Sequence, residues 1–506
     1  LLADPVLIIT IVLLTLFLLL FILYPLGMLL ADSVFSTESF VAYTVADQPA
    51  EMTITDAQGQ TTDRFIRQGQ ARKVPYYVVE SVDGFQVKQE LGRSASLLYL
   101  DSILPEETRD TVVVVQTRQP LFTLQAFPHI FGDYTFIRAL TNTLQLGVIT
   151  ALGGTLIGLL FAYVDMYVKV RTRIMKKLFD IVSLLPVVSP PFVLSLSMIL
   201  LFGKSGLITR KVLGIYDSDV YGMWGIAIVQ ILTFFPVCYM MLKGLLKNID
   251  PSMEEAARDM GASRWKVFTT VTFPLLLPGL GNAFLVTFIE SVADFANPMI
   301  IGGSFDTLAT TIYLRITGGS YDTQGAAAMA VVLLSLTIMM FLIQKYYLEA
   351  KTAATLTGKA SRERMLITDR SVTRPLTVLC TLISIFVIMM YVAIPFGSLF
   401  KLWGRDYSLS LRWYEQLFKQ DGLKAFRDSF VLSMIASPIT ALLSMIISYL
   451  VVKRRFRGRG FIEFVSILAM AVPGTVLGVG FIRGFAGGVL RTGFLQGIYG
   501  TAAILV

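Results

Sequence analysis

The amino-acid sequence predicts an all-α polytopic membrane protein built from two tandem homologous halves, with a small β-rich insertion outside the membrane. Of its 506 residues, 55% are hydrophobic and only 15% are charged, whereas soluble domains carry about 25% charged residues. Several apolar stretches reach the roughly 20 residues that a helix needs to cross a bilayer. The net charge of +8 does not indicate nucleic-acid binding, because basic loops on one side of a membrane give the same excess.

Nine apolar segments follow one another along the chain, and a tenth begins near Ile498. Their approximate limits are 5–30, 136–164, 179–202, 222–242, 274–296, 323–345, 375–400, 426–452 and 461–483. The first segment is longer than the apolar core of a signal peptide and has no basic region before it, which favours a retained helix over residues 1–30. Because the chain begins with Leu1 rather than Met, we expect a trimmed N-terminus.

Basic residues concentrate in three segments that share one side of the membrane if the helices alternate. They are the loop 169–177, the linker 346–374 and the loop 453–459. Loops rich in Lys and Arg stay in the cytoplasm. The N-terminus is therefore predicted to be cytoplasmic, and residues 31–135 are predicted to be extracytoplasmic.

The stretch 31–135 differs from the rest of the chain in charge and in pattern. It contains 14 acidic and 8 basic residues, a balance that fits a solvated surface better than a ligand site. Asp83-Gly84 between short apolar runs predicts a hairpin, residues 111–115 predict a buried strand, and residues 56–59 predict a second turn. We expect a small extracytoplasmic β-rich domain here.

Two parts of the sequence repeat, at offsets of 286 and 283 residues. Residues 161–163 match 447–449, and residues 180–190 match 463–473. Both copies run in the same direction, which predicts two pseudo-symmetric halves, a plan common among transporters. We place the halves at 136–345 and 375–506.

A short surface helix is predicted within 250–274, between the fourth and fifth membrane helices. Ser252 with Glu255 three residues later is a capping box, the pattern of a helix start. Helix-forming residues continue to Met260, and Gly261 supplies the turn at the helix end. The helix is therefore expected to lie across the cytoplasmic surface.

The composition of this helix indicates a protein partner rather than a lipid surface. Lipid-bound amphipathic helices are usually rich in Lys and Arg, but the first turn here is acidic. Ala256 and Ala257 are small enough to allow close approach by another protein. A second amphipathic element is expected from Arg264, and the fifth membrane helix is expected from Pro274.

The spacing in this segment resembles the EAA loop of binding-protein-dependent ABC importers. The pattern consists of Glu255-Ala256-Ala257, three residues, Gly261, nine residues and Val271-Thr272-Phe273-Pro274, in which Val and Phe depart from the usual Ile and Leu. A second region resembles the fused permeases of the ferric-iron-type importer group. It runs from Glu290 through Pro298 to Gly302-Gly303 and Leu308-Ala309-Thr310. The similarity covers about 136–345 and 375–506 and leaves the insertion outside it.

The resemblance implies a type I ABC importer permease fold in the inner membrane of a bacterium. It implies a coupling helix that sits in a groove of an ABC ATPase dimer, and a substrate-binding protein that delivers the solute from outside. The residues expected to contact the ATPase are Glu255, Ala256, Ala257 and Gly261. ATP and Mg are expected on the ATPase, since this chain contains no Walker sequence. No catalytic residue and no bound cofactor are expected in this chain, and membrane lipid is its other expected partner.

The same resemblance implies a second EAA loop in the second half. At the 275-residue offset that relates Gly225 to Gly500, this loop would lie near residue 530, beyond Val506. We therefore expect the natural protein to continue past this point.

Two acidic residues of the fifth helix are candidates for the translocation path. Glu290 and Asp294 are four residues apart, hence on one face of a helix, and an ionised side chain at mid-bilayer costs about 2.5–3.5 kcal/mol. They are interpreted either as a gate or cation contact, or as a helix-end cap or interhelical hydrogen bond, and the second role is the commoner one. Asn282, one polar residue in an apolar run, fits a helix–helix contact better than a substrate contact.

The resemblance favours ferric iron as the solute, although the same group includes importers of phosphate-bearing organic solutes, thiamine and polyamines. An ion-coupled secondary transporter is the alternative from a different class, and it leaves the EAA spacing unexplained. The single histidine, His129, gives no His-rich metal centre, and Cys238 and Cys380 imply no disulfide framework. Because no nucleophile or acid–base pair is clustered, the chain is not expected to be an enzyme.

Overall fold

In the computed structural model the chain folds mainly into long helices. The structure describes residues 5–37, 50–55, 61–66, 120–122, 124, 126–317, 323–349, 366–419 and 422–486. Within these ranges, eight helices are long and apolar enough to cross a membrane, and two shorter helices bent by 106° add a ninth crossing if they are counted as one broken span. The prediction of an all-α polytopic membrane protein is confirmed.

The chain divides into two compact units. The first holds residues 1–29, 133–312 and 329–506, and the second holds 30–132 and 313–328. The helices are α1 (Pro5–Val34), α2 (Ala126–Gly132), α3 (Tyr134–Tyr167), α4 (Arg173–Val188), α5 (Phe192–Phe202), α6 (Met223–Asn248), α7 (Pro251–Asp259), α8 (Arg264–Ala293), α9 (Ala296–Ile301), α10 (Leu308–Thr317), α11 (Thr323–Ile343), α12 (Arg370–Ser398), α13 (Arg412–Lys419), α14 (Gly422–Lys453), α15 (Arg459–Ala471) and α16 (Gly474–Phe481). The strands are β1 (Phe35–Thr37), β2 (Ala50–Thr55), β3 (Thr61–Ile66), β4 (Pro120–Phe122), β5 (Phe400–Leu402) and β6 (Asp406–Leu409).

The third predicted membrane segment, 179–202, is not one helix. It is divided between α4 and α5, with Ser189 in an extended conformation (φ −86°, ψ 149°) between them. A residue that precedes a proline avoids the helical region, so Ser189 before Pro190 ends α4. The segment 179–202 is therefore interrupted at Pro190 and forms two helices.

The fifth membrane helix begins earlier than predicted. It starts at Arg264 rather than Pro274, because Ser263 caps it there and accepts a hydrogen bond from the Lys266 N–H (3.3 Å). The second amphipathic element and the membrane helix are therefore one continuous helix, α8. The predicted tenth segment, near Ile498, lies outside the described residues.

The order of elements in the first half returns in the second half. Helix α3, a basic loop, α4, a break before a proline and α5 correspond to α14, a basic loop, α15, a break at Pro473 and α16. This succession matches the duplication predicted from the two sequence repeats. We call the region around the loop 168–172 and the start of α12 the basic end of the first unit.

The core of the first unit is built on a close contact between α3 and α6. Gly154 and Gly158, four residues apart on α3, form the small-residue pattern that lets two membrane helices approach. A Cβ atom on Gly158 would lie 2.5 Å from the Cys238 Cβ and 2.8 Å from the Tyr239 backbone N. The helices therefore touch backbone to backbone at this point.

In the second unit, β1 pairs antiparallel with β4, and β2 pairs antiparallel with β3. The β2–β3 pair flanks the turn predicted at 56–59, whose own residues lie outside the described ranges. The hairpin predicted at Asp83-Gly84 and the strand predicted at 111–115 also lie outside them. The described part of the insertion thus contains two strand pairs and the short helix α2.

The hairpin β5–β6 joins the two halves at the helix ends opposite the basic end. Trp403 Nε1 donates a hydrogen bond to the Leu200 carbonyl (2.8 Å), and the Lys211 ammonium lies 3.5 Å from the centre of the Tyr407 ring. An ammonium over an aromatic face is attracted by the ring quadrupole. These contacts hold the end of α12 against α5.

The α3–α6 contact gives a first testable prediction. Gly158→Ala places a methyl group against backbone atoms that cannot move aside, so the free energy of unfolding should fall by about 1–3 kcal/mol. Thermal melting of the purified protein in detergent measures this loss. Gly244→Ala on α6 is the matched control, because a Cβ there meets nothing within 4 Å, and its melting temperature should not fall. Equal melting of Gly158→Ala and the wild type would contradict the close contact.

Candidate functional site

The short helix α7 begins at a different residue from the one predicted. Its N-cap is Asp250, whose side chain accepts a hydrogen bond from the Ser252 N–H (3.0 Å). Pro251 takes the first helical position, where a missing N–H costs nothing, and so moves the cap one residue before it. The predicted capping box of Ser252 with Glu255 is therefore wrong.

The end of α7 agrees with the prediction. Gly261 has φ +87°, a conformation that glycine adopts without strain. Its N–H donates to the Arg258 carbonyl (2.8 Å), and the Ala262 N–H donates to the Ala257 carbonyl (3.1 Å). This pair of bonds is the Schellman arrangement that satisfies the last carbonyls of a helix.

A buried carboxylate fastens α7 to the membrane helices. Glu254 Oε1 accepts hydrogen bonds from Tyr167 Oη (2.6 Å) at the end of α3 and from Thr272 Oγ1 (2.8 Å) in α8. Pro251, Glu254 and Ala257 recur every three residues and are all buried. The sequence analysis did not single out Glu254, although this spacing marks the inner face of a helix.

The four residues predicted to contact a partner do not share one environment. Ala256 and Gly261 are exposed, and Glu255 is half-buried. Ala257 lies on the inner face with 8% of its surface exposed. Three of the four predicted contact residues thus lie on the outer face of α7, whereas Ala257 packs against the rest of the first unit.

Large apolar side chains extend this outer face. Met253 is 50% exposed, Met260 is 82% exposed, and Trp265 at the start of α8 is 74% exposed. Exposed apolar groups of this size close together are typical of a protein contact surface. Sequence analysis missed Met253 and Met260 because a methionine in a helical pattern usually belongs to the core. We call Met253, Glu255, Ala256, Met260 and Gly261 the α7 outer face.

The linker between the halves is bound to the end of α3 near α7. The Ile367 N–H donates to the Tyr167 carbonyl (2.7 Å), and the Lys169 N–H donates to the Ile367 carbonyl (3.1 Å). These bonds form a parallel bridge between Val168 and Ile367. Tyr167 therefore contacts α7 through its hydroxyl and the linker through its backbone.

A second contact ties the start of α12 to the start of α8. Asp369 caps α12, and its Oδ1 accepts hydrogen bonds from the Ser371 N–H (3.1 Å) and hydroxyl (2.9 Å), while its Oδ2 lies 3.4 Å from Arg264 Nη1. The two Ser371 hydrogen bonds, with a smaller contribution from the Arg264 charge, lower the pKa of Asp369. The carboxylate thus remains ionised at neutral pH, as the contact with Arg264 requires.

An ionic cluster fixes α3, α4 and α6 at the basic end. Asp165 forms an ion pair with Lys243 (2.6 Å) and a longer one with Lys176 (3.8 Å). Tyr239 Oη donates to Asp165 Oδ2 (3.1 Å) and accepts from Lys243 Nζ (2.9 Å). Only 12% of the Asp165 side chain is exposed, so the carboxylate depends on these partners.

Asp294 does not lie on the same helical face as Glu290, contrary to the prediction. Helix α8 ends at Ala293, and Asp294 takes an extended conformation (φ −69°, ψ 123°). Its Oδ1 accepts from the Ala296 N–H (3.0 Å), and its Oδ2 accepts from Gln230 Nε2 and Asn297 Nδ2, each at 2.8 Å. Such local hydrogen bonds to the backbone compete with helix continuation. The cap and interhelical roles therefore describe Asp294.

The hydrogen bonds of Asp294 extend into a buried polar network. Gln230 Oε1 accepts from the hydroxyls of Thr150 (2.9 Å) and Ser291 (2.6 Å), and Asn297 Oδ1 accepts from the Ser195 hydroxyl (2.7 Å). The network joins α3, α5, α6, α8 and α9. Gln230, Asn297 and Ser195 are fully buried. Each lies in a mainly apolar stretch of sequence, and nothing in the sequence pattern indicated that their side chains meet.

Glu290 has a different environment from Asp294. Its side chain is exposed, and within the described residues it makes no hydrogen bond or ion pair. Asn282 is half-buried, and its Oδ1 is buried without a hydrogen-bond partner in the described part of the chain. Nowhere in that part do three or more His, Cys, Asp or Glu residues group in a way that would hold a metal ion.

Comparison with known proteins identifies the relatives of this chain. Residues 154–353 match the family described as binding-protein-dependent transport system inner membrane component. The ferric transport system permease protein FbpB of Actinobacillus pleuropneumoniae is 37% identical over 72% of this chain and 54% of its own length. FbpB 1 of Haemophilus influenzae, also named as a ferric transport permease, is 37% identical over 72% of this chain and 58% of its own length. YvgM of Bacillus subtilis, named as a molybdenum transport permease, is 30% identical over 32% of this chain and 74% of its own length.

The chain spans about half the length of the two ferric permeases that it matches. The family match runs from the second half of α3 past the end of α11, with α7 in its centre, and the match to YvgM covers most of that relative. The described helices and the family together make this a multi-pass inner membrane protein. The chain belongs to the family of binding-protein-dependent transport system inner membrane components.

Proposed function

We propose that this chain is the permease of an ATP-driven ABC importer that moves ferric iron, delivered by an extracytoplasmic binding protein, into the cytoplasm. The proposal rests on the structure of α7. Its inner face is anchored to α3 and α8 through Glu254, and its outer face exposes large apolar side chains. Two relatives at 37% identity named as ferric transport permeases support iron as the cargo. ATP and Mg are assigned to a separate ATPase dimer.

In this proposal α7 is the coupling helix, and its outer face binds the ATPase. Closure of the ATPase dimer on ATP moves α7. Glu254 transfers that movement to α3 through Tyr167 and to α8 through Thr272. The same two helices contact the Asp294 network, α3 at its middle through Thr150 and α8 near its end through Ser291, so the movement can pass along them to the network. The N-terminus lies in the cytoplasm, on the side of the basic loops.

Glu290 is proposed as a cargo contact on the path, and Asp294 is given a structural role. An exposed carboxylate in a membrane helix is costly against lipid, so the Glu290 side of α8 is expected to face a polar cavity. A carboxylate there attracts a cation such as ferric iron. Phosphate-bearing organic solutes, thiamine and polyamines stay alternative cargoes of the same importer class, and an ion-coupled transporter would give α7 no role.

Substitutions on the α7 outer face test the coupling proposal. Glu255→Arg and Gly261→Asp should abolish most ATP-driven uptake, by roughly tenfold or more, the effect of losing one interface hot spot. Membrane insertion should persist, because both positions face away from the core. Iron uptake in cells measures the loss of transport. A mild-detergent pull-down of the full-length protein measures whether the ATPase stays bound. The wild type should retain an ATPase at about two copies per permease, and the variants should lose it.

Two controls make the coupling result specific. Glu415→Arg makes the same charge change on α13, far along the chain, and should leave uptake and ATPase retention intact. Gly261→Asn keeps a residue that tolerates positive φ and should retain most activity. Normal uptake in both Glu255→Arg and Gly261→Asp would contradict the assignment of α7. Recovery of the wild-type chain alone, with proton- or sodium-driven uptake in vesicles, would favour a secondary transporter.

The two acidic residues of the path region should respond differently to loss of charge. Glu290→Gln should lower iron uptake several-fold with an unchanged melting temperature, because its exposed carboxylate holds nothing in place. Asp294→Asn should lower the melting temperature, since an amide cannot accept from all the donors that surround it. Radioactive iron uptake and thermal melting separate the two effects. Unchanged iron uptake in a Glu290→Gln variant that melts like the wild type would remove Glu290 from the path.

A further inference from the structure

A basic groove at the basic end is not explained by the coupling of α7. It encloses about 730 Å³ and is lined by residues of the loop after α3 and by the first turns of α12. Four of its lining residues are the cations Lys169, Arg171, Arg370 and Arg374. Two come from the loop after α3, and two come from the end of the linker, where α12 begins. The groove therefore exists only because these two segments are held side by side.

The backbone holds the two segments together. The Ile367 N–H bonds to the Tyr167 carbonyl (2.7 Å), and the Lys169 N–H bonds to the Ile367 carbonyl (3.1 Å). Lys169 follows this bridge directly, and Arg370 begins α12 three residues after it. The position of the four cations is thus fixed by the main chain and not by flexible side chains alone.

The four cations have no anionic partner within the described part of the chain. All four are exposed, and none of them makes an ion pair there. The nearest carboxylate on α12, Asp369, is already held by Ser371 and Arg264. Four like charges around one groove repel each other and raise the local positive potential. An anion with several oxygens in the groove would relieve this repulsion.

An apolar stripe leads from the groove along α12. Val378, Leu382 and Ile385 follow Arg374 at helical spacing, and each has more than half of its surface exposed. They lie inside the membrane-spanning part of α12, whereas Arg370 and Arg374 lie at its first turns. We therefore expect the groove to lie at the boundary of the bilayer, with its cations at headgroup level and the apolar side chains at the level of the acyl chains.

We propose that this groove binds the headgroup of an anionic phospholipid, with the acyl chains along the exposed stripe of α12. Clusters of Lys and Arg beside membrane helices attract anionic lipid headgroups in this way. A free inorganic anion would use the cations but would gain nothing from the stripe. The bound lipid would join the loop after α3 to the linker, at the backbone bridge in which Tyr167, the residue that anchors α7, takes part.

Native mass spectrometry of the full-length protein in detergent tests the proposal. Phosphatidylglycerol and phosphatidylcholine with the same acyl chains are the probes. The wild type should retain phosphatidylglycerol and not phosphatidylcholine. Arg370→Gln with Arg374→Gln should weaken retention of phosphatidylglycerol by roughly 10- to 30-fold, as expected for two cations at a membrane surface. Added phosphatidylglycerol should raise the melting temperature of the wild type and not that of this variant.

Matched variants keep the test decisive. Lys453→Gln with Arg457→Gln removes the same charge from the other basic loop and should leave retention unchanged. Arg370→Lys with Arg374→Lys keeps the charge and should retain the lipid within about threefold, which separates binding from misfolding. Equal loss in both glutamine pairs, or equal retention of phosphatidylcholine, would overturn the proposal. Full displacement of the lipid by millimolar inorganic phosphate would also overturn it, in favour of a free-anion site.

Discussion

The arrangement of the candidate site depends on one buried carboxylate, that of Glu254. One of its oxygens accepts hydrogen bonds from hydroxyls on two membrane helices, Tyr167 on α3 and Thr272 on α8. Loss of this acceptor would leave those hydroxyls to find new partners, at a cost of about 1–3 kcal/mol for each group left buried and unpaired. The Tyr167 backbone also accepts the hydrogen bond of Ile367. A change at Glu254 therefore disturbs the linker between the halves as well as α7.

The Asp294 network makes a second polar contact with the same helices, at the middle of α3 through Thr150 and near the end of α8 through Ser291. There the acceptor is again a carboxylate, and its donors are Gln230, Asn297 and the backbone N–H groups of α9. Between Thr150 and Tyr167, α3 is in backbone contact with α6 at Gly158. Close-packed interiors transmit displacement because they have little free volume. In the proposed importer, movement of α7 therefore reaches the Asp294 network as a movement of the helix bundle.

Local sequence patterns predicted the parts of this structure that local forces determine. Apolar runs located the membrane helices, and the turn at Gly261 follows from the conformational freedom of glycine. The predicted capping box was wrong because Ser252 and Asp250 are both residue types that cap helices. Pro251 favours the first helical position, which makes Asp250 the cap. The roles of Glu254 and Gln230 could not be predicted, since their partners are separated from them by many residues. The inward turn of Asp294 likewise depends on Gln230, which lies on another helix.

Glu290 and Asp294 illustrate how a membrane protein distributes acidic side chains. A carboxylate directed inward needs donors, and Asp294 has them from both side chains and backbone. A carboxylate directed outward needs water, a cation or another polypeptide, because lipid offers none of the required interactions. Glu290 lies one helical turn before Asp294, is exposed, and makes no hydrogen bond with the described residues. The cost of exposing it to lipid makes a polar surrounding necessary, and in the proposed importer the translocation path provides one.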